Sequence, residues 1–266
     1  MARGEIPDDV GLLMNTIVMP ARSSPNYIPL LSPESFRLRL RLEVKRWKTR
    51  FTEVMSAVML KWANRRRKSD KPGGKGVKLE VGKVPAIAQQ LHQEVYTAFA
   101  RGDMAAVQGK VCSGMFGNLE RRIHKRRTER HPGDSLQWHV HKQLSKPKLM
   151  SYKAIAFPAP KGSKDLGRTG MIQAVVRLHT LQSVQWSRRL QKKDGGRLTT
   201  KEVLLDDKGR ELPEGSPAAQ PKEVVEHFVV QKRIQSGQEM AWTAWGSAEE
   251  TSAKDVTAQD KPAVQS

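Results

Sequence analysis

The sequence predicts an α+β fold, and three observations carry that prediction. Apolar residues recur at helical spacing through the first half of the chain. From about residue 136 the pattern changes to period-two alternation and β-branched runs. Turn-forming clusters then separate those runs at hairpin distances. Helices followed by strands in tight succession is an α+β order, whose compact solution is a curved antiparallel sheet wrapped against helices.

Residues 1–33 hold Pro7, Pro20, Pro25, Pro29 and Pro33, a density that denies regular structure. They read as an extended arm with apolar contact points at residues 10–14 and 17–19. Such an arm lies along another surface. Residues 34–68 read as a basic amphipathic helix, with the helical run at 35–64 and Ser32 or Ser35 at its start. At about 100° per residue, Phe36, Leu40, Val44, Trp47, Phe51, Val54, Val58 and Trp62 fall within a stripe of roughly 80°. Arg37, Arg41, Lys45 and Lys48 edge the stripe on one side; Arg39, Arg46 and Arg50 edge it on the other. Alternation over residues 36–42 fits a strand as well, so the first turns are open between the two. Arg65, Arg66, Arg67 and Lys68 close the segment.

Residues 69–83 contain Pro72, Gly73, Gly74, Gly76 and Gly82, which reads as a linker and a domain boundary. A main domain spans residues 84–246. Pro85 suits a first helical turn, and Ile87, Leu91, Val95 and Phe99 follow at helical spacing with Tyr96 beside them. Gly102 and Asp103 end that helix. Asp103 is placed to cap a second, to about residue 112. A third runs over 115–130 with Phe116, Leu119 and Ile123 on one side, stopped by His131-Pro132-Gly133-Asp134. Strands are predicted at 136–144, 149–157, 171–186, 197–205, 224–234 and 239–245. Lys193-Asp194-Gly195-Gly196, Asp206-Asp207-Lys208-Gly209 and Ser236-Gly237 supply the turns. Residues 247–266 form a polar tail expected to be disordered.

Charge narrows the function. The chain carries a net charge of +20 over 266 residues, with a pI near 10.3. Partners on that scale are polyanions: RNA, DNA or anionic lipid. Cys112 is the single cysteine, so no disulfide forms within the chain, and its apolar neighbours suit a buried small residue. No stretch approaches the roughly 20 apolar residues of a membrane span. Residues 1–9 carry Glu5, Asp8 and Asp9, unlike a signal or transit peptide. Enzymatic signatures are lacking: there is no Ser/His/Asp arrangement, and Gly73-Gly74-Lys75-Gly76 lacks the Walker pattern. The strands offer few interior-looking carboxylates for proton transfer. His139 and His141 share a strand face, but no Cys or acidic cluster stands near to complete a metal site. No catalytic residue, metal ligand or cofactor is assigned.

Two basic clusters remain as candidate RNA-binding sites. The first is Arg37, Arg39, Arg41, Lys45, Arg46, Lys48, Arg50, Arg65, Arg66, Arg67 and Lys68. Arginine outnumbers lysine between residues 37 and 67, which favours phosphate, because the guanidinium fork reaches two oxygens at once. The second is Arg121, Arg122, Lys125, Arg126, Arg127 and Arg130, crowded on one helix against Glu120 and Glu129. A polyanion relieves the crowding and releases counterions. No base-reading motif accompanies either cluster, so binding is expected to backbone and shape. Trp47, Phe51, Val58 and Trp62 on the first helix suit membrane or protein contact. A basic-edged apolar stripe fits a lipid interface, RNA with a protein behind it, or the domain's own core.

The order of short motifs resembles a known family. Phe99-Ala100-Arg101-Gly102-Asp103 is followed by Leu119-Glu120-Arg121-Arg122-Ile123 and Gln173-Ala174-Val175-Val176-Arg177. Residues 224–233 and Trp242-Thr243-Ala244-Trp245-Gly246 complete the set. This resembles the Tim-forty-four-like domain family over roughly residues 84–246. The upstream arm and basic helix resemble its mitochondrial large-subunit protein L-forty-five and fungal inner-membrane ribosome receptor branch. The resemblance implies a cone-shaped fold like that of nuclear transport factor two. It also implies residence in the mitochondrial matrix, peripheral to the inner membrane. The implied partners are large-subunit ribosomal RNA near the tunnel exit, neighbouring mitochondrial ribosomal proteins, and the inner-membrane insertase with anionic lipid. A membrane-associated import or insertion factor is the alternative reading; a small-ligand enzyme using the cone pocket is the second.

Overall fold

The computed structural model describes residues 8–13, 16–20, 27–28, 33–64, 77–157, 169–194, 197–206, 208–213, 219–235 and 238–252. Three α-helices, α1 (Pro33–Ala63), α2 (Val84–Arg101) and α3 (Ser113–Glu129), precede five strands: β1 (Asp134–Phe157), β2 (Thr169–Asp194), β3 (Arg197–Leu205), β4 (Lys222–Gln235) and β5 (Gln238–Ser247). All pairings between these strands are antiparallel, in the order β1-β2-β4-β5, with β3 also on β2. The sheet is curved and unclosed, and the predicted α+β class stands. The long strand β2 is its spine. One edge of β2 pairs along β1, while the other pairs with β4 over residues 170–182 and with β3 over residues 186–194.

Side-chain parity builds the core. Ile172, Ala174, Val176 and Leu178 of β2 face the helices, with Phe228, Val230 and Ile234 of β4 beside them. Val84, Ala88, Leu91 and Val95 of α2 and Leu119 and Ile123 of α3 close over this face. Each fully buried aliphatic side chain contributes about 1.5–3 kcal/mol, so this layer dominates stability. At one end, the buried Lys232 ammonium lies 3.1 Å from Glu80 and also bonds Glu239, tying the segment before α2 to the sheet.

Three predicted elements differ. The strands expected at 136–144 and 149–157 are one strand, β1, with register shifts on both sides of Pro147. Proline is tolerated there because β1 is an edge strand and needs no outward N–H bond. The second helix, expected from Asp103 to about residue 112, is reduced to a 3-10 turn at Ala105–Val107. Sheet pairing won over helix. Cys112 N–H donates to Ala244 O (2.8 Å) and Ala244 N–H to Lys110 O (2.7 Å), so residues 110–112 cover the outer edge of β5. Cys112 itself is buried, as expected, and burial pushes its thiol up to about 11.

The third difference is the arm, which runs along its own sheet. Gln173 and Gln231 are buried on the face away from the α2 and α3 layer, where their amides need partners. The arm's backbone supplies them. Leu13 N–H donates to Gln173 Oε1 (3.0 Å), Gln231 donates to Asp8 O, and Trp245 Nε1 donates to Val10 O (2.8 Å). Val18 fills the same face against Val175 and Val229. Helices, sheet and arm thus form three layers. The predicted linker 69–83 is described from residue 77 only; 69–76, Arg65–Lys68 and the tail beyond 252 lie outside the described residues.

Candidate nucleic-acid interface

Helix α3 turns Leu119 and Ile123 inward and leaves most of its circumference to cations. Their environments divide them. Arg126 Nη2 donates to Phe99 O (2.9 Å) and Ala100 O (3.3 Å), and Arg127 Nη2 donates to Gly102 O (3.0 Å). Both therefore satisfy the open carbonyls at the C-terminus of α2. Gly102 makes this possible. Its φ of 73° suits glycine, and a Cβ there would meet the Arg127 and Arg126 guanidinium nitrogens at 3.2 and 3.3 Å. Burial, and then repulsion from Arg127 and Arg122, lowers the Arg126 pKa.

The remaining cations look outward. Arg121, Arg122 and Lys125 are exposed. Lys125 has a loose partner, Glu129 at 3.7 Å. Among the described residues, no ion pair joins Arg121, Arg122, Arg126 or Arg127 to a carboxylate of this chain. Arg122, Arg126 and Arg130 recur every four residues, so they share one side of α3. The Arg122 and Arg126 guanidinium carbons each lie 5.1 Å from the centre of the Phe99 ring, and that of Arg130 lies 3.8 Å from the centre of Trp186.

That side of α3 borders a cleft of about 640 Å³ between α2, α3 and the β1–β2 hairpin. Tyr96, Phe99, Trp138 and Trp186 line it, with Leu136 and Val184 on the sheet. Behind its inner end stands a buried polar network. His92, 2 % exposed, donates from Nε2 to Glu226 Oε2 at 2.7 Å. Gln182 donates to the same oxygen (3.2 Å) and accepts from Trp138 Nε1 (2.8 Å). Tyr96 Oη donates to Glu226 Oε1 (3.4 Å). Burial would raise the Glu226 pKa, but the His92 bond and charge and the other donors outweigh it, so its carboxyl lies below the usual range. The expectation of few interior carboxylates passed over Glu226. Its parity with Phe228 and Val230 was the available signal, since alternate residues share a face.

The first basic helix presents the opposite of a core-packed stripe. Among the described residues of α1, Leu42, Ala57 and Leu60 are buried, and its polar residues Glu53 and Ser56 face β1. Ser151 donates to the Glu53 carboxylate, and Ala154 N–H reaches Ser56 Oγ at 3.4 Å. Leu60 seats over Gly170, where an added Cβ would fall 2.6 Å from Leu60 Cδ1. The predicted stripe lies about 200° round the helix from Leu60 and points away from the domain. Trp47 is 70 % exposed, Phe51 69 %, Val58 53 % and Trp62 76 %, in line with Phe36, Leu40, Val44 and Val54. Arg37, Arg41, Lys48 and Arg50 are exposed beside it, while Lys45 is half-buried. Glu43 takes Arg39 (3.6 Å) and Arg46 (3.1 Å) into ion pairs, so these two are partly neutralised.

His139 and His141 lie with ring centres 6.5 Å apart, and His141 bonds Ser183 Oγ at 2.7 Å. Among the described residues, no group of His, Cys, Asp and Glu could hold a metal ion.

Residues 74–204 match the family model described as MBA1-like protein. That stretch of the chain is similar to the MBA1-like family. The match covers α2, α3, β1, β2 and nearly all of β3, and so contains the α3 basic face and the cleft. The MBA1-like family is mitochondrial and ribosome-associated. No curated protein sequence gives a significant match. Among the described residues, no helix is long and apolar enough to cross a membrane.

Proposed function

We propose that this protein is a non-catalytic component of the mitochondrial large ribosomal subunit. In this reading it binds ribosomal RNA near the tunnel exit and positions the ribosome at the matrix face of the inner membrane. The observation that carries the reading is the outward, unneutralised charge of Arg121 and Arg122 on α3, within the MBA1-like stretch. The apolar stripe of α1 supports the second half of the reading. It is a separate exposed surface, edged by Arg37, Arg41, Lys48 and Arg50, with the chemistry of a lipid interface. Partners follow from these surfaces: large-subunit RNA for α3, anionic lipid or the insertase for α1, and neighbouring ribosomal proteins around both.

Gradient sedimentation of lysed mitochondria tests this. The protein should travel with the large subunit at low salt and leave it after nuclease or high salt. Arg121→Glu with Arg122→Glu should release it at low salt. Unchanged association of that variant would remove α3 from the proposal. Retention on membranes after ribosomes are stripped would favour the second reading, a lipid-bound import or insertion factor. The exposed stripe of α1 is the observation behind that reading.

A further inference from the structure

Outward charge alone does not require the cleft beneath α3. Its volume, about 640 Å³, is in the range of small-ligand sites rather than of a packing defect. Its two chemistries are spatially sorted. The floor is apolar and flat-walled. Trp138 pairs across the strands with Val184, and Leu136 with Trp186, so four side chains form adjoining rungs. Trp138 is further stacked with Tyr96, ring centres 5.5 Å apart and planes 30° from parallel. The rim is cationic: Arg122, Lys125, Arg126 and Arg130 outnumber its carboxylate, Glu129.

The rim arginines sit beside aromatic rings: Arg122 and Arg126 over Phe99, and Arg130 over Trp186. A guanidinium over a ring face still offers N–H groups to an anion. Arg126 is committed to the fold, its Nη2 bonded to α2 carbonyls and its Nη1 buried, so the outer cations Arg122 and Lys125 are the ones free to meet a ligand. The occupant that satisfies floor and rim together is a flat apolar ring system carrying an anion. An alkyl carboxylate would meet the rim but has no use for aromatic walls. A nucleotide meets both, since unstacked bases seat on aromatic side chains and phosphates on arginine.

We infer that the cleft receives one extruded nucleotide of single-stranded RNA, its base against Trp138 and Trp186 and its phosphate on Arg122 and Lys125. This rests on the proposed RNA-binding role and adds a single-strand preference to it.

The test uses the full chain and three probes. These are an unstructured 12-nucleotide RNA containing one 2-aminopurine, a 12-base-pair RNA duplex, and inorganic polyphosphate. The single strand should bind more tightly than the duplex, and 2-aminopurine fluorescence should be quenched by the tryptophans. Trp138→Leu and Trp186→Leu should each weaken the single strand by about 5- to 150-fold, the span of one lost base–aromatic stack, and leave polyphosphate binding unchanged. Val184→Trp fills the cleft from a half-exposed position, so it should reproduce the loss without removing a core side chain. Arg122→Gln should flatten the salt dependence by about one phosphate contact. Equal binding of single strand and duplex, or wild-type affinity in Val184→Trp, would overturn the nucleotide pocket and leave the RNA-binding role standing. Absence of binding to either RNA would remove both. Displacement of the aminopurine signal by oleate, with no effect of polyphosphate, would reassign the cleft to lipid.

Discussion

His92 on α2 and Glu226 on β4 are 134 residues apart in sequence, yet His92 Nε2 donates to Glu226 Oε2 across 2.7 Å inside the helix–sheet layer. This bond fixes α2 on the sheet and sets the inner wall of the cleft. Replacing Glu226 with Gln keeps the shape but weakens three donors' acceptor, which should lower stability by about 1–3 kcal/mol in urea unfolding. The pH dependence has a defined sign. The folded carboxyl titrates below its ordinary value of 4.5, so its stabilisation is complete above that value and is lost as pH falls through the folded pKa. Glu226→Gln should remove that acid-side decline.

Arg126 and Arg121 stand on different sides of α3 and have different duties. Arg126→Gln should destabilise the fold by about 1.5–3 kcal/mol, since it breaks charge-assisted bonds to α2 carbonyls. Arg121→Gln, exposed and bonded only back to Gly117 O, should change stability by less than about 0.5 kcal/mol while reducing RNA affinity. Denaturation and filter binding on both variants separate the two.

Trp47→Glu combined with Trp62→Glu should leave thermal stability within about 0.5 kcal/mol of wild type, because both indoles face outward. The same pair should abolish flotation of the protein with anionic vesicles. Flotation equal to wild type would remove the stripe as a lipid contact.

Gly170 permits α1 to approach the sheet. An alanine Cβ there would lie 2.8 Å from Ile155 O as well as pressing on Leu60. Gly170→Ala should lower stability by about 1–3 kcal/mol, and combined with Leu60→Ala it should cost less than the two single losses added together, because the truncated side chain leaves room for the new Cβ. A thermal-melt double-mutant cycle measures the coupling.

Burial, against the pull of Glu53, holds the Lys153 ammonium down at about 8. In the unfolded chain it titrates near 10.5, so between those values the unfolded state binds more protons. The lysine therefore disfavours folding below pH 8, and the penalty fades as pH rises to 10.5. Lys153→Met should be modestly more stable than wild type at pH 7, partial exposure keeping the gain small, and the difference should shrink across that window. Melting curves at pH 7, 9 and 10.5 follow it.

Much of the fold was legible because local pattern sets local structure. Helical spacing located α2 and α3, and parity located β2 and β4. The merged strand β1 was not legible, because Pro147 signals a break unless the strand is known to be an edge. Nor was the fate of residues 103–112, which depended on the open edge of β5. The cations of α3 were legible as a cluster. Their division between Arg126 and Arg127 on α2 carbonyls and Arg121 and Arg122 in solvent was not, since it depends on where α2 ends in space. Glu226 was hidden for the same reason, its partner His92 lying in a distant element.

By itself, the amino-acid order determined the sequence of helices and strands, the faces each presents, and the surplus of positive charge that calls for a polyanion. These follow from periodicity and composition, which need no knowledge of neighbours. Tertiary structure decided which face of α1 is covered. Two apolar sets compete on that helix, and the larger stripe would be the expected core. The smaller set, Leu42, Ala57 and Leu60, is buried instead, because Gly170 admits Leu60 closely and Ser151 and Ala154 receive Glu53 and Ser56. Close fit and satisfied hydrogen bonds outweighed apolar area, and so Trp47, Phe51, Val58 and Trp62 were left facing outward.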